Sequence, residues 1–243
     1  MPHPVNLTSR PAVDAGWRRH LRRLLVCRCL VCREPAADGH DLCPACLAAL
    51  PWSPPACRHC AIPLAAGVDT VCGDCLRRPP TLHAVHAAFL YGFPVDRLLP
   101  RFKFHHDLAA GALLACCMAD AFRSAERPQL LVPVPLHPGR LRRRGYDQAL
   151  ELARPLGRGL GVPVHDGLLR RRRATAAQSE LDADARRRNV RNAFEATLRD
   201  PAPGHVALVD DVMTTGATLH AAATALRRAG VTRVDAWVCA RVR

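Results

Sequence analysis

Eight cysteines in the N-terminal third of the chain form four C-x-x-C pairs, a spacing that lets two thiolates converge on one cation. Two such pairs complete a tetrahedron, so four pairs predict two zinc sites with four thiolate ligands each. Pairing of neighbours along the chain is the simpler arrangement, and interleaved pairing stays open. The predicted ligands are Cys29, Cys32, Cys43, Cys46, Cys57, Cys60, Cys72 and Cys75.

The composition of the segments between these cysteines supports metal binding. It is rich in proline and polar residues and lacks a long apolar pattern, so it needs the ~10 kcal/mol that structural zinc can supply. Disulfides or redox dithiols are the alternatives, and the absence of a secretory signal disfavours them. Cys27 is spare, and His40 and His59 are substitute ligands.

A second group of candidate ligand-binding residues lies in HVALVDDVMTTGATLH, from His205 to His220. An apolar strand over 206–209 delivers Asp210 and Asp211, and a turn over 214–218 precedes a helix. Free amides at a helix start, a glycine and threonine hydroxyls suit a phosphate. The two carboxylates suit ribose hydroxyls or Mg²⁺ carried by the ligand. Ordinary capping explains one acid and one threonine, but not two acids, three threonines and a glycine.

The elements that must position this stretch alternate between strand and helix after Cys75. Strands are predicted over 83–91, from Leu130, over 205–209 and at VDAWVCA; helices are predicted over 108–122, over 149–160 with Pro155 as a kink, and over 219–226. This alternation predicts an α/β fold, a mostly parallel sheet flanked by helices, with a small N-terminal zinc-binding module. Ligands of such sheets bind beyond the carboxyl ends of the strands.

The composition is strongly basic, and the sequence pattern does not indicate a membrane anchor. The formal net charge is +14, almost all of it from arginine, which either reflects coding bias or marks polyanionic partners. No apolar run reaches the ~18 residues of a membrane helix, and the basic N-terminus lacks a signal-peptide core. A cytoplasmic protein without a membrane span is the expectation.

The motif VALVDDVMTTGATL resembles the PRPP-binding motif of type I phosphoribosyltransferases. Together with LVPVPLHPGRLRRRGYDQALELA, the arginine-rich stretch after residue 169 and the cysteine pairs, it resembles the ComF/GntX family. The resemblance implies a type I phosphoribosyltransferase fold. It also implies that the acidic pair holds the ribose 2′- and 3′-hydroxyls, that T-T-G-x-T binds the 5′-phosphate, and that another loop binds pyrophosphate with Mg²⁺.

Carried onto this chain, the resemblance implies Asp210 and Asp211 as the catalytic pair and a pyrophosphate loop over 136–140. Residue 147 is Asp where the family usually has Asn, which argues against a phosphate contact there. The stretch 170–192 resembles a mobile lid, with Gln178, Arg187 and Asn189 at matching places. The predicted PRPP-binding residues are Asp210, Asp211, Met213, Thr214, Thr215, Gly216, Ala217, Thr218, Leu136, His137, Lys103, Arg140 and Arg144.

Three segments and two functions are therefore expected. The segments are a basic stretch over 1–26, a zinc module over 27–78 and a phosphoribosyltransferase-like domain over 79–243. The first function is transfer or binding of a phosphoribosyl group from PRPP, with an unspecified acceptor and a part in DNA uptake during competence. The alternative is a non-catalytic protein that binds single-stranded DNA or competence proteins and keeps the pocket as a sensor or relic. The low aromatic content, 5%, argues against a stacking platform for DNA.

Overall fold

The computed structural model describes residues 28–36, 41–65, 70–172, 193–197 and 201–243. They divide into two compact units, with the division between Ala48 and Ala49. The division separates the first four predicted cysteine ligands from the other four. The predicted domain boundary near residue 78 stays a prediction. The basic segment 1–26, Cys27, His40 and the lid residues Gln178, Arg187 and Asn189 lie outside the described residues.

Thirteen helices and strands are assigned within the described ranges. The helices are α1 (Pro44–Ala48), α2 (Gly73–Arg77), α3 (Val95–Phe104), α4 (Leu108–Ala121), α5 (Pro138–Arg144), α6 (Gln148–Leu160) and α7 (Ala217–Arg228). The strands are β1 (Val85–Leu90), β2 (Leu130–Pro133), β3 (Leu169–Arg171), β4 (Phe194–Ala196), β5 (His205–Met213) and β6 (Arg233–Arg241). Only α1 belongs to the first unit.

Four parallel strands in the order β1-β6-β5-β2 form the sheet of the second unit. The strands β3 and β4 form a separate antiparallel pair that contacts α7. Parallel neighbours require helical crossovers, which α3 to α7 provide. The predicted α/β class with a mostly parallel sheet and flanking helices is confirmed. Within the described part of the chain, no helix is both long and apolar enough to cross a membrane.

Alternation along the strands assigns each face of the sheet to different helices. Val206 and Leu208 of β5 share one apolar cluster with the buried residues of α7. On the opposite face, Leu131 of β2 lies against α6, where a Cβ added at Gly157 would meet its Cδ1 at 3.6 Å. Trp237 of β6 contacts the Phe122 ring at the end of α4 on that face. The core is therefore two apolar layers, and the carboxyl ends of β5 and β2 emerge between them.

Element boundaries near the motif differ from the sequence expectation. Strand β5 does not end at Val209 but runs through Asp210 and Asp211 to Met213, because its pairing with β6 continues to Arg241. Helix α7 begins at Ala217, so Ala217 and Thr218 belong to its first turn and not to the preceding loop.

Candidate functional site

Each group of four predicted cysteine ligands gathers its sulfurs around one point. In the first unit the Sγ atoms of Cys29, Cys32, Cys43 and Cys46 lie within 4.8 Å of one another. In the second unit the same holds for Cys57, Cys60, Cys72 and Cys75. A Zn–S bond of about 2.3 Å places tetrahedral sulfurs about 3.8 Å apart, so both sites fit zinc. The ligands pair sequentially, and the interleaved alternative is wrong.

The two cysteine sites are built from the same local structure used twice. The amide of Cys29 donates to the Glu34 oxygen (2.7 Å), and the amide of Cys57 donates to the Ile62 oxygen (2.8 Å). The residue after each first pair has a left-handed backbone, with φ of 70° at Arg33 and 53° at Ala61. A one-turn helix then carries the second pair of each site. The first half of the chain therefore contains an internal repeat.

The acidity of the thiols shows why each site needs a cation. Burial raises the pKa of the Cys29 thiol, but the backbone N–H groups of Cys32 and Cys43 outweigh it and lower the pKa to about 6. The same balance, led by the Cys72 amide, lowers the pKa of Cys57 to about 7. Burial and a neighbouring thiol raise the pKa of Cys46. Four thiolates cannot share one small space unless a cation neutralises them.

At the carboxyl ends of β5 and β2 the second unit has a cavity of about 1220 Å³. It brings together residues from α3, the β2–α5 connection, α5, β5 and α7, which are far apart in the sequence. Twelve of the thirteen predicted PRPP-binding residues line it, and Thr215 is the exception. The Thr215 Oγ1 instead accepts the Ala217 amide at 3.4 Å, which shapes the turn.

The two aspartates face different sides of β5. The Asp211 side chain is 9% exposed and lies 2.7 Å from the Lys103 Nζ of α3. Burial lowers the pKa of Lys103, but the Asp211 carboxylate outweighs it and raises the pKa. The Asp210 Oδ1 accepts the Asp211 amide at 2.9 Å. Burial and the Asp211 charge raise the pKa of Asp210 to about 8. The cavity thus holds one acid paired with a lysine and one whose burial and acidic neighbour favour its protonated form.

The turn before α7 depends on a glycine. Gly216 has φ of 74°, and a Cβ there would lie 2.5 Å from the Met213 Cε. As the helix N-cap, Gly216 has no side chain to cap α7, and the Thr215 Oγ1 accepts the Ala217 amide at 3.4 Å instead. Thr214, Ala217 and Thr218 line the cavity beside it. This is the geometry expected of a phosphate site on a twelve-residue helix.

Opposite the aspartates, α5 ends in a basic turn. Arg140, Arg143 and Arg144 line the cavity, and Arg144 lies 5.3 Å from the Phe104 ring centroid. Burial and then the neighbouring arginines lower the pKa of Arg140, which reflects the crowding of like charges. Such a cluster favours a multiply charged anion.

Asp147, the departure from the family pattern, lines the cavity and accepts backbone amides with both carboxylate oxygens. Its Oδ2 accepts the Leu136 amide at 2.9 Å, and its Oδ1 caps α6 by accepting the amides of Ala149 and Leu150. The carboxylate therefore fixes the predicted pyrophosphate loop to α6. Because Leu136 uses its amide in this contact, that residue lines the cavity without offering a backbone donor.

Sequence reasoning missed some of the lining. Arg171 of β3 is 7% exposed and lines the cavity, although it was one of many arginines in the predicted lid. Its guanidinium lies 5.3 Å from the Phe194 ring centroid. Tyr91, Phe104 and His106 also line the cavity. No sequence pattern distinguished these residues from their neighbours.

Comparisons with known proteins agree with this architecture. Residues 20–76 match the double zinc ribbon domain and residues 144–243 match the phosphoribosyl transferase domain, which defines the class of the protein. Competence protein F of Haemophilus influenzae is 36% identical over 225 residues, 88% of this chain and 96% of that protein. The chain belongs to the ComF family, as the resemblance predicted.

Two further relatives extend the match. DNA utilization protein YhgH of Salmonella typhimurium is 35% identical over 221 residues, 88% of this chain and 96% of that protein. Competence protein ComFC of Bacillus subtilis is 30% identical over 183 residues, 72% of each chain. The similarity therefore covers both the cysteine repeat and the sheet.

Proposed function

We propose that the cavity binds PRPP with Mg²⁺ and that the protein transfers or binds a phosphoribosyl group. One observation carries the proposal: the acidic pair, the amino end of α7 and the basic turn of α5 line a single cavity. Each group suits a different part of PRPP. The ribose hydroxyls donate to Asp210 and Asp211, the 5′-phosphate accepts from the first amides of α7, and the pyrophosphate meets the arginines of α5.

Magnesium fits the donor set. Mg²⁺ prefers carboxylate and phosphate oxygens, and the raised pKa of Asp210 indicates negative charge that a cation would relieve. Bound with PRPP, Mg²⁺ neutralises charge on the pyrophosphate. The residues of the chain do the rest: the aspartates orient the ribose, and Arg140 and Arg144 stabilise the negative charge that accumulates on the leaving group.

Transfer would break the bond between the ribose C1 and the pyrophosphate oxygen and form a bond from C1 to a nucleophilic acceptor. The pyrophosphate leaves with the electron pair of the broken bond, and the acceptor proton goes to solvent or to a nearby base. We propose that the protein acts in DNA uptake and utilisation during competence, since its relatives are named for competence and DNA utilization.

Isothermal titration with PRPP and Mg²⁺ tests the site. Asp210→Asn should weaken PRPP binding about tenfold or more, because it removes a charged acceptor. Asp120→Asn is the matched control, since Asp120 pairs with Arg123 on α4 and does not line the cavity. Equal affinity in both variants, or no binding by the wild-type protein, rejects the site. Pyrophosphate release with a panel of bases then tests turnover.

A second candidate function is binding of single-stranded DNA. The net charge of +14 and the arginine cluster of α5 favour it. The measurement is affinity for a short single strand at several salt concentrations. A fall of about 0.7 log units per log unit of salt for each neutralised phosphate supports it, and undetectable or salt-independent binding rejects it. Competition by PRPP shows whether both ligands use the same arginines.

A further inference from the structure

A buried arginine connects the second cysteine site to the loop that precedes α7. Arg241, the last residue of β6, is 6% exposed. Its Nε donates to the backbone oxygen of Cys60 at 2.7 Å. Its Nη1 donates to the backbone oxygen of Met213 at 3.2 Å. One guanidinium thus contacts the backbone of a predicted zinc ligand and that of Met213, the last residue of β5, which directly precedes the phosphate loop over 214–218.

Packing supplies a second, independent connection between the same two regions. Ala61, the left-handed residue after Cys60, is 2% exposed and belongs to the same apolar cluster as Met213 and Ala217. The Val242 amide also donates to the Met213 oxygen at 3.0 Å. The position of Met213 matters for the turn because the backbone at Gly216 passes so close to its side chain that no Cβ fits.

We propose that Arg241 is a positioning residue that transmits the state of the second zinc site to the phosphate loop, so that loss of zinc from this site weakens PRPP binding. The inference rests on the proposed PRPP site. With zinc, four thiolates and one cation leave a net charge of about −2, which attracts the guanidinium and holds the knuckle at Cys60. Without zinc nothing holds the four sulfurs together, and the knuckle loses its fixed geometry.

The first experiment compares three variants for PRPP affinity in the presence of Mg²⁺. Arg241→Gln should weaken binding about tenfold, because the Met213 and Cys60 oxygens lose charged donors. Arg241→Lys keeps the charge and should recover part of the loss. Arg233→Gln is the matched control: Arg233 lies on the same strand but pairs with Asp235 and Glu126. Its PRPP affinity should stay within about twofold of wild type.

The second experiment is a double-mutant cycle with zinc analysis. Cys75→Ser should remove one zinc per chain and weaken PRPP binding. If the effect passes through Arg241, the Arg241→Gln/Cys75→Ser protein binds no more weakly than the weaker single variant. Additive effects, or normal affinity in Arg241→Gln, overturn the proposal.

Amide hydrogen exchange separates failure of the coupling from failure of the PRPP site, because it needs no ligand. Arg241→Gln and Cys75→Ser should both speed exchange over residues 213–218 and leave α6 unchanged. If wild-type protein does not bind PRPP but both variants show this pattern, the coupling stands and the proposed ligand is wrong. Unchanged exchange in a folded variant overturns the coupling whether or not PRPP binds.

Discussion

The second cysteine site and the cavity of the same unit both gather groups of like charge, but they do so in different ways. The cysteine site draws all four ligands from residues 57–75. The cavity draws its charges from α3, α5, β3 and β5, between Lys103 and Asp211. The four sulfurs of the cysteine site fit a zinc ion, which would neutralise their charge and stabilise the local fold. In the cavity Lys103 neutralises one acid, and the remaining charges stand ready for a ligand.

The comparison predicts that damage to the cysteine site costs stability, whereas damage to the cavity costs mainly affinity. The largest effect is expected for Cys75→Ser, which should lose one zinc and lower the stability of the second unit by several kcal/mol. Cys46→Ser removes the equivalent ligand from the first unit. The unfolding transition of the second unit, measured by calorimetry, should then stay close to that of wild type. Equal loss in both variants would show that the two repeats are not separately stabilised.

Breaking the internal ion pair of the cavity should have the next largest effect on stability. Lys103→Met leaves Asp211 buried beside Asp210 without its lysine, so we expect a loss of about 2 kcal/mol in urea unfolding at pH 8. Asp211→Asn in the same chain should restore most of it, because both charges are then gone. If Lys103→Met has the same free energy of unfolding as wild type, the ion pair adds nothing to stability.

Gly216→Ala tests the phosphate loop itself. The left-handed backbone and the contact with Met213 should cost about 1–2 kcal/mol and reduce PRPP affinity about tenfold. Gly92→Ala is the control, since a Cβ there meets no atom within 4 Å. Thermal unfolding and PRPP titration of the two variants give the comparison. Normal affinity in Gly216→Ala would remove the turn from the site.

The smallest predicted effect is the pH dependence due to Asp210. Its folded-state pKa of about 8 lies above the unfolded value of about 4, so the folded protein binds this proton more tightly. The free energy of unfolding should therefore fall as pH rises from about 4 to about 8. The full shift would correspond to about 5 kcal/mol, but Asp210 is only half-buried and solvent screens its charge, so Asp210→Asn, which removes this slope, should be more stable than wild type at pH 9 by roughly 1 kcal/mol. The prediction is contradicted if the free energy of unfolding depends on pH in the same way in wild type and in Asp210→Asn.

Much of the cysteine sites and of the acidic motif was predictable because their ligands are close in sequence. A C-x-x-C pair forms within one turn, so spacing alone predicted the eight ligands. The strand, Asp210, Asp211 and the turn to α7 are also contiguous. The parallel sheet followed from the alternation of strands and helices.

What could not be predicted depends on tertiary packing. No sequence pattern announces that Arg171 of the arginine run lines the cavity while its neighbour Arg172 pairs with Glu195 in an exposed position. The low aromatic content argued only against a stacking platform for DNA, and it did not predict that the Arg144 guanidinium lies 5.3 Å from the Phe104 ring centroid. Strand β5 also ends later than its apolar pattern predicts, because its hydrogen bonding with β6 continues to Met213.

The carboxylate of Asp147 has an effect beyond fixing one loop. Burial raises the pKa of Asp147 despite the backbone amides that lower it, and the Asp211 charge adds to the rise. The charge of Asp147 in turn raises the pKa of Asp210, so the three acids influence one another at the base of the cavity. If the cavity binds PRPP as proposed, these carboxylates would oppose the metal-free compound near Asp210, and a divalent ion bound with it would offset that repulsion. The affinity for PRPP would then depend on the concentration of the divalent ion.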